Sequence, residues 1–277
     1  MSAATAPEPS STNATSSNGQ QAANLELNPT AAEVYDNCFP PNTPLAASTT
    51  SFLLGSLFSI GLWFFVANSH IIPALFKGSW ASVAFNQPLV QLPFFIGAWA
   101  FFHWAEFAVT AGWNREKCSS HSFLLDNGKE YHIAHTFALV EFLVTWYFFP
   151  TSHQWAFITP IGVLMVIAGQ VLRSAAMIHA STNFSHVVAH QHRQGHRLVT
   201  GGVYSWSRHP SYVGFFYWGI GTQLALQNKI SFIGYSIVLW RFFYRRIIYE
   251  ERALVRFFGD DYKTYRERVP TRIPFIR

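Results

Sequence analysis

The sequence predicts an all-α fold: a polytopic membrane helix bundle of about six transmembrane segments, with a cytosolic loop and C-terminal helices beyond it. Three observations carry that prediction. Half of the 277 residues are hydrophobic and only 12% are charged, even with a polar N-terminal stretch in the average. Soluble domains carry about twice that fraction of charge. Apolar runs long enough to approach the roughly 20 residues needed to cross the hydrocarbon recur along the chain. Lys and Arg then cluster on one side of those runs, as the positive-inside rule expects.

Taken in order, residues 1–50 are rich in Ser, Thr, Ala, Asn and Pro. They cannot bury enough apolar surface to offset chain entropy, so they read as a disordered cytosolic tail. The first apolar run begins only at Phe52, which argues against a signal peptide. Four segments are of spanning length or close to it: Phe52–Phe76, Phe94–Trp113, Ile133–Phe149 and Trp155–Ile178. Two shorter ones, Tyr212–Leu226 and Ile230–Tyr244, are joined by Gln227, Asn228 and Lys229 alone, and form a tight transmembrane or re-entrant hairpin. With the N-terminus inside, the outer loops hold Lys77 and Lys229, and every other Lys or Arg lies on the inner side or at an inner helix end. Cys38 and Cys118 are too few for a disulfide framework. The sequon Asn13-Ala14-Thr15 matters only in a lumenal tail.

After the last span, Glu250–Phe258 continues as helix. Gly259 supplies a left-handed cap, Asp260 a new N-cap, and Pro270 an end to a second short helix. Leu254, Phe257, Phe258, Tyr262, Tyr265 and Val269 form an apolar stripe beside Arg252, Arg256, Lys263, Arg266 and Arg268. Such a helix lies in the membrane interface or packs against the ends of the bundle.

The residues that could carry chemistry gather near the end of the chain. In VTGGVYSWSRHPSYVG (199–214), Gly201-Gly202 makes a turn and His209-Pro210 starts a helix. The amides of Ser211 and Tyr212, aided by the helix dipole, suit a carboxylate or phosphate, with Arg208 and His209 at the flanks. An ordinary helix start at an interface has the same local sequence. The density of Tyr204, Trp206, Arg208, His209 and Tyr212 favours a ligand site. Arg246 and Glu250, four apart on the last helix, are either a weak surface ion pair or the facing wall of that site, returned to it by the hairpin. Arg173, inside an apolar span, either snorkels or faces the bundle with a partner. Glu141, or His103 and Glu106, are the choices for that partner. His186, His190, His192 and His196 lack the cysteines of a common zinc set, so no metal site is assigned. P-loop, G-x-S-x-G and strand-following G-x-G-x-x-G motifs are absent.

HRLVTGGVYSWSRHPSYVGFFYWGIGTQ (196–223), with WRFFYRRIIYEERALVRFFGDDYKTYRERVPTRIPFI (240–276), closely resembles the isoprenylcysteine carboxyl methyltransferases. The likeness extends upstream through FHWAEFAVTA, SFLLDNGKEYHIAH, LRSAAM and STNFSHVV. The resemblance implies an integral-membrane methyltransferase domain over 51–277, with its cofactor-binding part at 180–277. It implies transfer of a methyl group from S-adenosyl-L-methionine to the C-terminal carboxylate of a prenylated cysteine in CaaX proteins such as small GTPases, and in lipidated peptides. That takes place at the endoplasmic reticulum membrane, with active site and C-terminus cytosolic and no role for nucleic acid. His196, Arg197, Leu198, Val199, Tyr204, His209, Pro210, Ser211, Tyr212 and Glu250 would contact the cofactor. Arg246, with Arg173, would bind the acceptor carboxylate. An ionised carboxylate needs no general base, which suits the absence of an obvious one. The rival readings are a phospholipid amine N-methyltransferase, a sterol-reductase-like NADPH oxidoreductase and a non-catalytic membrane scaffold.

Overall fold

The computed structural model describes residues 39–78, 83–153, 155–186 and 195–277. Seven α-helices lie among them: α1 Pro44–Ser69, α2 Ile71–Lys77, α3 Pro88–Trp113, α4 Lys129–Phe148, α5 Ile158–Ala180, α6 Pro210–Leu226 and α7 Lys229–Arg268. Short 3₁₀ turns link several of these. Among the described residues, Pro44–Ser69, Pro88–Trp113 and Ile158–Asn183 are long and apolar enough to cross a membrane. The helices carry apolar side chains outward as well as inward. Leu143, Leu164, Val171, Ile233 and Ile237 are all more than half exposed, the pattern of a bundle solvated by lipid.

The first helix departs from the sequence reading at both ends. It starts at Pro44, inside the stretch expected to be disordered, because Thr43 caps it through a 3.1 Å bond from the Ala46 amide and proline occupies the first helical position. The expected span to Phe76 is broken at His70, which adopts φ 56° and separates α1 from the short α2.

The centre of the bundle is the antiparallel pair α5–α6, the most extensively packed pair of helices. Glycines seven residues apart on each helix face one another: Gly162 meets Gly221, and Gly169 meets Gly214. A Cβ on Gly169 would lie 2.6 Å from the Gly214 carbonyl oxygen and 2.8 Å from the Trp218 amide nitrogen. The two backbones are therefore in direct contact, the small-residue packing that substitutes for a hydrophobic driving force in lipid. A contact of the same kind joins α1 to α3, where a Cβ on Gly61 would lie 2.6 Å from the Pro93 carbonyl oxygen and 3.0 Å from Gly97 Cα.

Gln227 turns the chain between α6 and α7 with φ 56°, and buried polar groups hold this hairpin in place. Gln227 Nε2 donates to the Trp155 carbonyl at 3.0 Å, and Asn228 Nδ2 to the Ala138 carbonyl at 2.9 Å. Glu141 accepts from the Ile230 and Ser231 amides at 2.8 and 2.7 Å. Glu141 therefore caps α7 and is not the partner of Arg173.

α7 is a single run of 40 residues kinked at Gly259, which takes φ 56° and ψ −126°. Its first 30 residues span about 45 Å, well beyond a hydrocarbon core of about 30 Å, so its second half projects past the bundle. Tyr262, Tyr265 and Val269 are buried there against Leu198, Leu254, Val255 and Phe258. The apolar stripe thus packs on the end of the bundle. The final residues fold back beneath α6 and α7: Ile273 and Ile276 join Val213, Phe216, Phe243 and Ile247, and Ser207 Oγ donates to the Thr271 carbonyl at 2.8 Å.

Candidate active site

α6 starts where the sequence places it, with His209 at φ −130° and Pro210 as the first helical residue. The Tyr212 amide donates to the His209 carbonyl at 3.0 Å. That corrects the expectation that both the Ser211 and Tyr212 amides stay free for an anion, since the first turn closes on one of them. Arg208 and His209 flank the cleft as the sequence suggests, and their polar groups are engaged with α7. Arg208 Nε donates to Glu251 Oε1 at 2.5 Å and Nη1 to the Val269 carbonyl at 2.8 Å, while His209 Nε2 shares the same carboxylate oxygen at 3.1 Å. Both side chains are buried.

This divides the work of the acidic pair. Glu251 is a buried anchor that ties α7 to the start of α6. Burial pushes its carboxyl up, but hydrogen bonds from His209 and Arg208 outweigh that and hold it below the usual carboxylate range. Glu250 faces the other way and accepts a short hydrogen bond from the Tyr212 hydroxyl. The same hydroxyl accepts from Arg246 Nε at 2.8 Å. Arg246 and Glu250 are therefore joined through Tyr212, and the Arg246 guanidinium lies 5.2 Å from the Tyr212 ring centre.

A cleft opens at this end of the bundle, on the side of the helix start at Pro210. His196, Arg197, Leu198, Val199, Tyr204, His209, Pro210, Ser211, Tyr212 and Glu250 all line it. The C-terminal helix closes its far side with Leu254, Phe258, Tyr262 and Tyr265, and the turn after α5 contributes Asn183, Phe184 and Ser185. Tyr265 donates from its hydroxyl to the Tyr204 carbonyl at 2.6 Å, and Arg197 is placed by its amide on Asn183 Oδ1 at 2.8 Å. Burial, then the charge of Glu250, holds the Tyr204 phenol well above its ordinary pKa, so it stays protonated. The wall thus combines aromatic faces, one carboxylate and a helix start.

A second, slightly smaller cleft abuts the first, and Phe184, Ser185, Ser211 and Tyr212 line both. Arg173 and Arg246 line the second one together with His186, Phe215, Phe242 and Phe243. Arg173 does not snorkel. It is buried, forks onto Glu106 through Nε and through Nη2 at 2.8 Å, and donates from Nη1 to Ser211 Oγ at 3.0 Å. Phe102 and Phe215 face its guanidinium at 5.4 and 5.3 Å. Glu106, only 1% exposed, is thereby the partner. His103 is engaged elsewhere, donating from Nδ1 to the Phe123 carbonyl at 2.6 Å and accepting at Nε2 from Tyr131 at 2.8 Å.

His186, one of four histidines to which the sequence assigns no metal site, belongs to this cleft. Its Nε2 bonds Glu106 Oε2 at 2.9 Å, and its carbonyl accepts from Arg246 Nη2 at 2.5 Å. His190 and His192 lie outside the described residues, and His196 packs edge-on against Phe257 and Phe258. Nothing in the spacing of the His residues signals the Glu106 contact, which depends on a turn held by Asn114 and Lys117 on the Phe184 carbonyl.

Fold and site together define a helical membrane protein that presents two adjoining ligand clefts at one end of its bundle, one of them walled by paired arginines. Residues 162–256 match the family profile described as isoprenylcysteine carboxyl methyltransferase (ICMT). The chain is 44% identical over 192 residues to a protein-S-isoprenylcysteine O-methyltransferase of Xenopus laevis, covering 69% of this chain and 67% of that one. It is 47% identical over 176 residues to the Homo sapiens protein of that name, covering 64% and 62%, so the match spans under two thirds of the human relative. Against the Saccharomyces cerevisiae protein it is 43% identical over 212 residues, covering 74% of this chain and 87% of the relative. A solved structure titled as the eukaryotic intramembrane Ras methyltransferase ICMT superposes with a TM-score of 0.71 at 34% identity, covering 84% of this chain and 82% of that one. The chain belongs to the isoprenylcysteine carboxyl methyltransferase family, and it is a methyltransferase.

Proposed function

We propose that this protein esterifies the C-terminal carboxylate of a prenylated cysteine, using S-adenosylmethionine as methyl donor. The observation that carries the proposal is the convergence of Arg173 and Arg246 on one cleft that shares Ser211 and Tyr212 with a second, larger one. A methyl donor in the larger cleft and a carboxylate on the two arginines would meet across that shared wall.

The larger cleft suits the donor chemically. Leu198, Tyr204, Leu254 and Phe258 offer apolar and aromatic faces for an adenine, and Glu250 offers an acceptor for ribose hydroxyls or an ammonium group. When bound, the donor supplies an electrophilic methyl on a sulfonium. The residues of the chain do the rest by placement. Each arginine in the acceptor cleft already has a counter-charge: Glu106 on Arg173, and Glu250, through Tyr212, on Arg246. Cations tempered in this way orient a carboxylate without quenching its nucleophilicity. Phe184, Phe215, Phe242 and Phe243 line the acceptor cleft, and the low-polarity surroundings they provide favour a step that converts two opposite charges into neutral products, while fixed orientation supplies much of the remaining rate.

The prenyl tail accounts for the membrane setting. Phe215, Phe242 and Phe243 continue the acceptor cleft as an apolar wall, and Phe242 is half exposed on the lipid-facing side of α7. A tail gaining about 0.8 kcal/mol per buried CH₂ would reach the arginines laterally from the bilayer. The physiological acceptors on this reading are processed CaaX proteins, small GTPases among them. The site would open to the cytosol from the endoplasmic reticulum membrane.

The test is transfer of labelled methyl from S-adenosylmethionine to a farnesylcysteine analogue by the purified chain, with a phosphatidylethanolamine acceptor offered in parallel. Base-labile label on the farnesylcysteine alone is the expected result. Label on the amine lipid alone, or on neither acceptor, would overturn the proposal.

A further inference from the structure

We infer that His186 is a positioning residue that sets the separation of the two arginines for the acceptor carboxylate; this rests on the methyl-transfer reading above. Arg173 stands on α5 and Arg246 on α7, and their direct neighbours differ. His186, in the turn after α5, is the residue that reaches both sides. Its imidazole bonds Glu106 Oε2 at 2.9 Å, and Glu106 in turn holds Arg173 in a fork. Its backbone carbonyl accepts from Arg246 Nη2 at 2.5 Å. Arg246, His186, Glu106 and Arg173 thus form one continuous strut, closed on the other side of Arg173 by Ser211 Oγ at 3.0 Å.

A strut of this kind matters because bidentate recognition of a carboxylate depends on geometry as well as charge, and misplacement by about 1 Å costs rate steeply. The ring also packs edge-on against Phe184 at 5.1 Å, an aromatic contact that His186→Phe keeps. Asn114 and Lys117 already hold the turn through the Phe184 carbonyl at 2.9 and 2.8 Å. Loss of the imidazole therefore leaves the turn in place and releases the register between Arg246 and the Glu106–Arg173 pair. The donor cleft meets the ring through Phe184, and because His186→Phe keeps that aromatic contact, a donor ligand should sense this variant little.

Steady-state kinetics of the full chain, in detergent or nanodiscs, separate these roles. His186→Ala and His186→Phe should each raise KM for a farnesylcysteine analogue about tenfold, the scale of one lost charge-assisted hydrogen bond. In His186→Phe, KM for S-adenosylmethionine should stay within about twofold of wild type. His186→Gln, whose amide N–H reaches the position of Nε2, should recover most of the acceptor affinity. An unchanged acceptor KM, a parallel rise in both KM values with lower thermal stability, or failure of His186→Gln to recover would each overturn the inference. If the wild-type chain transfers no methyl at all, it is the methyl-transfer reading that fails. The strut is then tested by thermal shift. A farnesylcysteine analogue should stabilise wild type but not His186→Ala, and equal stabilisation of both rejects the inference.

Discussion

Arg246→Ala is expected to lower kcat/KM for the prenylcysteine acceptor by about 30-fold or more, while binding of S-adenosylmethionine persists. The guanidinium is held by the Tyr212 hydroxyl at 2.8 Å and the His186 carbonyl at 2.5 Å, and it faces the Tyr212 and Phe242 rings at 5.2 and 5.8 Å. Truncating one partner of a desolvated, hydrogen-bonded charge pair costs about 2–5 kcal/mol, and the alanine also leaves the neighbouring carbonyl without its donor. Expressed through ΔΔG‡, such a cost is a loss of about 30-fold to several thousand-fold. Arg246→Lys should recover little, since an ammonium cannot reproduce a planar fork that reaches two acceptors at once. Methyl-transfer kinetics, paired with equilibrium binding of the donor, check the expectation. An Arg246→Ala enzyme within threefold of wild type would remove this residue from the acceptor site.

The other large effect belongs to the backbone seam between α5 and α6. Gly169→Val should prevent accumulation of folded protein. The first added carbon alone would lie 2.6 Å from the Gly214 carbonyl oxygen, 2.8 Å from the Trp218 amide nitrogen and 3.0 Å from its Cα, all of them main-chain atoms. Overpacking against movable side chains typically costs about 1–3 kcal/mol. Here the obstacle is another helix, so relief requires the helices to separate. That separation would also draw Arg173 away from Ser211, three residues before Gly214 on α6. Gly55→Ala is the control, because nothing lies within 4 Å of a Cβ there, and it should be neutral or stabilising by up to about 1 kcal/mol. Size-exclusion profiles and melting curves in detergent decide the matter. A monodisperse Gly169→Val protein with unchanged melting would show that the seam tolerates separation.

Much of the site was legible because one-dimensional signals constrain it tightly. Pro210 after His209 dictates a helix start, Gly259 is placed where the last helix must kink, and a two- or three-residue turn between apolar runs can only fold back. Those three features bring residues 196–212 against Glu250 without further information. Contacts set by rotation about helix axes were not legible. Glu106 and Glu141 both lie inside apolar helices, and spacing alone does not say that the first pairs with Arg173 while the second caps α7. Adjacent Glu250 and Glu251 differ by about 100° around the helix, which sends one into the cleft and the other to Arg208 and His209. The amphipathic stripe near the C-terminus was visible, but not the surface it covers, since Leu198 and the aromatic stripe meet only once the loop before α6 has folded. The role of His186 was hidden for the same reason. It depends on a turn whose geometry comes from the distant Asn114 and Lys117 side chains.

The side chain of Tyr212 is wall to both clefts, and this has a thermodynamic consequence. Its hydroxyl donates to Glu250 on the donor side and accepts from Arg246 on the acceptor side. A ligand that shifts this one phenol perturbs the other ligand's surroundings, so the two binding free energies are coupled, and linkage makes that coupling reciprocal. Whatever factor the prenylcysteine applies to donor affinity, the donor must apply to prenylcysteine affinity. Tyr212→Phe, which keeps the ring and removes the hydroxyl, should bring that factor toward one. Isothermal titrations of each ligand with and without the other, on both proteins, would measure it. A factor that persists in Tyr212→Phe would place the communication elsewhere in the shared wall, at Ser211 or in the turn that carries Phe184.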